Sequence, residues 1–285
     1  MLFDSHAHLN FQAFGEDLNE VIKRCAKKKM LVVNVGSQAP TSKKAIDIAE
    51  NNIGFFASVG IHPIHIWGDN LDPIESAAQV DMGKSSPAEM FPEIIKLAKN
   101  SKVVAIGETG LDYFRMSGDK QKGKELQKEY FLKHIDLANE LNKPLIIHAR
   151  AGIGDDAYLD ILEILKSREV LPFSEKKGVI HCFISNLNIA KEFIDLGFVI
   201  GFTGIITFTK KAEEIQKVAK ELPLQNILIE TDSPYLAPEP FRGKRNEPMY
   251  VEEVAKKIAE LKGIDIKEVI EQTAKNAMEV FKIII

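Results

Sequence analysis

At 285 residues, 45% of them hydrophobic and 27% charged, the chain has the composition of a folded protein with a large core, which excludes the disordered and low-complexity classes. Lys and Arg number 37 against 41 Asp and Glu, and the formal charge of −4 supplies no global attraction to nucleic acid or an anionic membrane. A polyanionic substrate therefore has to be held by local cations or by metal.

Short β-branched runs alternate with longer amphipathic stretches along the whole chain. The runs predict strands over Leu2–His6, Met30–Val35, Gly54–Ile61, Val103–Gly107, Pro144–His148, Gly178–Cys182, Phe198–Phe202 and Asn226–Glu230. Helical patterns lie between and after them, at Asp17–Lys29, Ser42–Asn51, Lys120–Leu141, Asp156–Lys166, Asn188–Leu196, Lys210–Glu221, Glu247–Lys262 and Asp265–Phe281. Asn186 or Asn188 is placed to cap the helix after the sixth strand, and Gly197 to end it. Continuous apolar strands separated by helices indicate a parallel sheet buried on both faces. Eight such units in one chain favour a single closed (β/α)8 barrel spanning residues 1–285. The polar, aperiodic stretch Gly68–Glu89 breaks the rhythm and is expected to be an irregular, mobile insertion.

The apolar runs are too short to span a bilayer, so no membrane association is expected. The chain opens directly on a run carrying Asp4, His6 and His8, so no signal peptide is expected. Cys25 and Cys182 lie in unrelated contexts without Cys-x-x-Cys spacing and read as buried thiols of a cytoplasmic protein.

Polar side chains stand where the apolar runs stop. They are His6 and His8 in F-D-S-H-A-H-L, Glu108 in I-G-E-T-G-L-D, His148 in L-I-I-H-A-R, His181 in V-I-H-C-F and Asp232 in L-I-E-T-D-S-P. In a parallel barrel these stops share one rim. Residues two apart on a strand project to the same side, which pairs His6 with His8 and turns Asp4 the same way. Buried imidazoles and carboxylates at several strand ends would each need separate partners, and one metal cluster satisfies them all. Six ligands exceed the three that a single catalytic zinc takes. The expected arrangement is two divalent ions, with His6, His8 and Asp232 on the first, His148 and His181 on the second, and Glu108 bridging. Zinc or manganese suits imidazole-rich ligation better than magnesium, although magnesium in excess could serve. Two ions in such a site activate water and polarise the target oxygen. Asp232 is the expected general base and Glu108 its catalytic partner. Asp4 and Glu230 are expected to orient ligand imidazoles from behind.

Substrate contacts are expected from His62 in G-I-H-P-I-H-I-W, from Arg150 two residues past His148, and from Arg245 in the basic loop with Arg242 and Lys244. Tyr113 and Arg115, just past Glu108, are further candidates. His65 and Trp67 read as loop packing, with base stacking open to Trp67. His134 sits mid-helix and outside the chemistry. Neither G-x-G-x-x-G nor G-x-x-x-x-G-K-[ST] occurs, so a nucleotide cofactor is not expected. Ser5 and Ser233 stand beside ligands rather than beside a free base, against a serine nucleophile.

These motifs, together with G-F-T-G-I-I-T-F, the full I-E-T-D-S-P-Y-L-A-P, R-G-K-R-N-E-P and the closing A-K-N-A, resemble the TatD family of metal-dependent hydrolases. The resemblance implies an amidohydrolase-like TIM barrel with ligands at His6, His8, Glu108, His148, His181 and Asp232. It also implies a divalent-metal-dependent deoxyribonuclease, often a 3′-to-5′ exonuclease, acting on single-stranded DNA or DNA ends. The chain departs from the family pattern in having Ile64 before His65, in A-G-I-G-D-D after His148-Ala149-Arg150, and in Ile-Ser-Asn after H-C-F. The principal alternative is hydrolysis at carbon, of an amide, a lactone or a D-aminoacyl-tRNA ester, because one barrel hosts many chemistries.

Overall fold

The computed structural model describes residues 1–67, 74–75, 86–116, 118–154, 156–168 and 176–284. Eight parallel strands run in sequence order around one sheet: β1 (Phe3–Ala7), β2 (Leu31–Val35), β3 (Phe55–Val59), β4 (Val103–Asp112), β5 (Leu145–Arg150), β6 (Gly178–Ile180), β7 (Phe198–Phe202) and β8 (Ile227–Ile229). The ends meet through Asp232 N–H donating to His6 O at 2.9 Å and His8 N–H to Ser233 O at 2.8 Å, which brings the barrel close to closure. Around it lie α1 (Leu18–Lys27), α2 (Ala39–Asn51), α3 (Pro63–Ile66), α4 (Pro87–Leu97), α5 (Lys120–Leu141), α6 (Ala157–Ser167), α7 (Leu187–Asp195), α8 (Glu213–Glu221), α9 (Val251–Lys262) and α10 (Ile266–Phe281).

Strand alternation divides the apolar residues into two layers. Inside the barrel, Phe3, Val33, Ala105, Ile146, Val179, Val199 and Leu228 form one cluster with Ala274, Ala277, Val280 and Phe281 of α10. Helix α10 so plugs the end where the strands begin, with the Phe281 ring 6.2 Å from that of Phe3. The alternate residues, among them Val32, Ile147 and Ile180, pack outward under the helices. With one end plugged, chemistry is left to the opposite end, where the strands finish.

All eight expected strands are present. Asn186 caps α7, accepting from Asn188 N and Ile189 N at 3.0 and 3.1 Å. The expectation for Gly68–Glu89 needs correction at its end. Ser86 and Glu89 form a reciprocal capping box, Pro87 occupies the first helical turn, and α4 begins there. Ile74 and Glu75 are bonded to the Gln12–Ala13 backbone at 3.2 and 3.1 Å, while residues 68–73 and 76–85 lie outside the described residues. Among the described residues, no helix is long and apolar enough to cross a membrane.

Candidate metal centre

His6 lies in β1, Glu108 in β4 and His148 in β5, with His8, His181 and Asp232 just past the ends of β1, β6 and β8. Their side chains converge. His6 Nε2 and His8 Nε2 are 3.1 Å apart, and Asp232 Oδ1 stands 3.8 and 3.3 Å from them. Glu108 Oε2 is 3.5 and 3.7 Å from the same nitrogens. The other Glu108 oxygen lies 2.9 Å from His148 Nδ1 and 3.5 Å from His62 Nε2. One carboxylate therefore faces two imidazole groups, a disposition suited to sharing between cations. Gly107 and Gly110, at φ 142° and 136°, let β4 pass against β5, since Cβ atoms there would fall 2.4 Å from Ile146 O and 2.1 Å from His148 O.

The donor set fits divalent cations on the evidence of its own polar atoms. His8 Nδ1 donates to Val35 O at 2.8 Å, which leaves the Nε2 lone pair facing His6. His6 Nδ1 is buried with no hydrogen-bond partner among the described residues. Two imidazole nitrogens at 3.1 Å share at most one proton, and an electrophile between them and Asp232 would satisfy both. His6, His8 and Asp232 form one trio with donor atoms within 4.8 Å of one another; His62, Glu108 and His148 form a second. His181 keeps to the first group: its ring stacks on His6 at 3.4 Å between centroids, and Nε2 is 3.7 Å from Asp232 Oδ1. Among the described residues no such trio contains both His148 and His181, the pair expected on one ion.

The electrostatics of the cluster are those of carboxylates in excess. Burial works against protonation of His148, yet hydrogen bonds and charge from Asp112 and Glu108 push its pKa up to about 9. Burial likewise opposes His181, but the Glu230 and Asp232 carboxylates raise it to about 10. His6 goes the other way, down to about 4, through burial and the neighbouring His181 charge. Burial alone would raise Asp232, and the His8 hydrogen bond and surrounding imidazoles hold it below the usual carboxylate range. A bound cation would meet the same field.

Behind the cluster, Glu230 is fully buried, with Oε1 2.8 Å from His181 Nδ1 and accepting from Cys182 N at 2.6 Å. Asp4 requires correction. Its carboxylate accepts from Thr231 N and Oγ1 at 2.9 and 2.6 Å and from the His6 backbone at 3.3 Å, and it bonds no ligand imidazole. The β1–β2 ladder shifts register between Asp4 and Ala7, and Asp4 pairs with the outward-packed Val32, so the strict two-residue period fails there.

The cluster floors a cavity of about 310 Å³, also lined by His62, Arg115 and Arg150. His62 Nδ1 accepts from Ile64 N at 3.1 Å, so the neutral ring carries its proton on Nε2, toward Glu108. Two expected substrate contacts fall elsewhere. Arg245 is committed to Asp17 through bonds of 2.7 and 2.6 Å, to Ala13 O at 2.8 Å and to Glu247 at 3.3 Å, with its guanidinium over Phe14. Tyr113 is buried and donates to Asp160 Oδ2 at 2.7 Å, outside the cavity. Trp67 packs against Gly123 of α5, where a Cβ would fall 2.5 Å away. His134 is a satisfied core histidine, accepting from Ile61 N at 3.0 Å and bonded to Tyr130 O at 2.7 Å.

Several cavity residues were not singled out from the sequence. Cys182 is half-buried and lines the wall. Asp112 joins His148 Nε2 at 3.2 Å to the backbone of Phe114 and Arg115 at 2.9 and 3.0 Å; its place four residues past Glu108 on the same strand was the available signal. Glu75 forms part of the wall, bonded to His65 Nε2 at 2.9 Å, to Gln38 at 3.0 Å and to Ser37 Oγ. Nothing in the polar segment around Glu75 marks it out.

Residues 3–282 match the family model described as TatD related DNase. The chain is 41% identical over 284 residues to the uncharacterized metal-dependent hydrolase YabD of Bacillus subtilis (strain 168), covering 99% of this chain and 100% of the relative. It is 35% identical over 286 residues to the uncharacterized metal-dependent hydrolase YcfH of Escherichia coli (strain K12), covering 99% and 96%. Among solved structures it superposes on YJJV, a TatD homologue from Escherichia coli, with a TM-score of 0.81 and 26% identity over 99% of this chain and 98% of that one.

Proposed function

The chain belongs to the family of TatD-related DNases and is a metal-dependent hydrolase, and from that premise we propose that it cleaves phosphodiester bonds of DNA. The substrate is single-stranded DNA or a DNA end, attacked as a 3′-to-5′ exonuclease with two divalent cations. The observation that carries this reading is the pairing of chemistries in one cavity: an imidazole–carboxylate cluster lies beside Arg115 and Arg150, its only fixed cations among the described residues. Neutral ester or amide substrates have no need of two guanidinium groups at the mouth.

His6, His8 and Asp232 would hold one cation, with Glu108 shared, and His148 and His181 would complete the set. Cations there supply Lewis acidity and bring water acidity toward neutral pH. Zinc or manganese suits these nitrogen donors best. Asp232, its side chain 15% exposed to the cavity, takes the proton from the attacking water. Glu230 orients the His181 ring, and His62, on the cavity wall, contacts the substrate. Two free thiols suit a reducing, cytoplasmic setting.

The test is product analysis on end-labelled single-stranded DNA with metal-stripped protein, restored with zinc, manganese or magnesium. Mononucleotides should appear only with metal and should vanish in Asp232→Asn, with a loss of at least about 1,000-fold for a lost general base that is also a ligand. A fully metallated protein that leaves DNA intact would move the assignment to hydrolysis at carbon, with an aminoacyl-tRNA ester as the next substrate.

A further inference from the structure

Phe114 is 59% exposed, although Tyr113 and the rest of the β4 end are buried. The Arg150 guanidinium lies 4.1 Å from its ring centroid, and Arg115 follows it in sequence. Both arginines line the cavity, and neither guanidinium has a carboxylate partner among the described residues. This contrasts with Arg245, whose charge is taken up by Asp17 and Glu247. The ledge is also built into the centre. Asp112 Oδ1 accepts from Phe114 N and Arg115 N, while Oδ2 meets His148 Nε2 at 3.2 Å. On the β2–β3 side the cavity wall carries a carboxylate, Glu75, held against His65 and Ser37.

We propose that Phe114, Arg115 and Arg150 form a subsite for the nucleotide next to the cleaved phosphodiester, with its base on the Phe114 ring and its phosphate between the guanidinium groups. The proposal rests on the phosphodiesterase reading and adds to it a direction. With a net charge of −4 the molecule offers no general field for a polyanion. A strand leaving the cavity therefore meets attraction over the β4–β5 edge and repulsion at Glu75. Stacking on an aromatic ring tolerates every base, as a nuclease without sequence preference requires. Planar guanidinium groups serve the phosphate in two-point contact.

The experiment uses metal-loaded enzyme and short single-stranded oligonucleotides carrying one abasic residue at successive positions from the cleaved end. In the wild type, loss of the base beside the scissile bond should raise KM about tenfold. That penalty should disappear in Phe114→Ala and persist in Phe114→Trp. Arg115→Gln and Arg150→Gln should raise KM for every base and each flatten the salt dependence by roughly 0.7 in log–log slope. An abasic penalty undiminished in Phe114→Ala, with turnover intact, would overturn the subsite alone. A wild type that binds and cleaves no oligonucleotide would remove the phosphodiesterase reading and the subsite together. Phe114 is exposed, so loss of fold should not confuse the result, and unchanged melting checks this.

Discussion

Asp232 and Cys182 hold left-handed backbone conformations, φ 56° and 46°, which cost a non-glycine residue on the order of 1 kcal/mol. Each turns sharply past the end of an inner strand, and each side chain reaches the cavity. Asn tolerates this conformation better than Ala, which is why Asp232→Asn separates chemistry from backbone effects. Gly201 marks a different constraint, because a Cβ there would fall 2.6 Å from both Glu230 oxygens. Gly201→Ala should displace Glu230 from His181 and weaken metal binding roughly 10- to 100-fold, read by titration against a chelating indicator, with the fold retained. Unchanged affinity would show that Glu230 does not orient the ligand. Burial would raise Glu75, but hydrogen bonds from His65, Ser37 and Gln38 bring it down to about 2. With the folded value depressed, its contribution is complete above the unfolded value near 4.3 and is lost as pH falls through about 2. Glu75→Gln should therefore be less stable than wild type by roughly 1–3 kcal/mol at neutral pH, with the gap closing below about pH 4 in denaturant titrations.

Arg245 joins the loop after β8 to the start of α1 through Asp17, and Arg24 adds a bidentate pair to Glu247 at 2.8–3.1 Å. The network is a strut between elements, partly exposed, and surface pairs of this kind contribute about 1 kcal/mol or less. Arg245→Ala should lower Tm by a few degrees and leave KM for DNA unchanged. A raised KM without a change in Tm would restore it as a phosphate contact. The loop's basic sequence pointed to substrate because its acidic partner is 228 residues away along the chain. Helix α4 was hidden for a local reason. Pro92 sits inside a stretch entered from a polar, aperiodic segment, and the Ser86–Glu89 capping box and Pro87 in the first turn were the start signals it carried.

The barrel joins its first and last strands at the site itself, through Asp232 N–H to His6 O and His8 N–H to Ser233 O. Cations held by residues from both ends would bind the folded chain alone and so stabilise the whole molecule. Adding zinc or manganese to metal-stripped protein should raise the unfolding free energy by about 2.7 kcal/mol at one hundred times Kd, and a chelator should reverse it. Insensitivity of Tm to metal would argue against the ligand set. Closure also explains why chain-distant residues act together: eight strands finishing on one face bring positions 6, 108, 148, 181 and 232 within a few ångströms.

Unbroken apolar runs set between helical patterns carried the eight strands, because a strand buried on both faces shows no polar alternation. The residues ending those runs carried the candidate ligands, because a parallel barrel gathers such ends on one rim. Contacts between side chains far apart in sequence were beyond such reading. Whether Arg245 faces phosphate or Asp17, whether Asp4 follows His6 inward or a register shift turns it toward Thr231, and whether Glu75 reaches the cavity are all settled by packing. A charge in a sequence has no partner until the chain folds, and short-range electrostatics and hydrogen bonds depend on that partner rather than on the residue type.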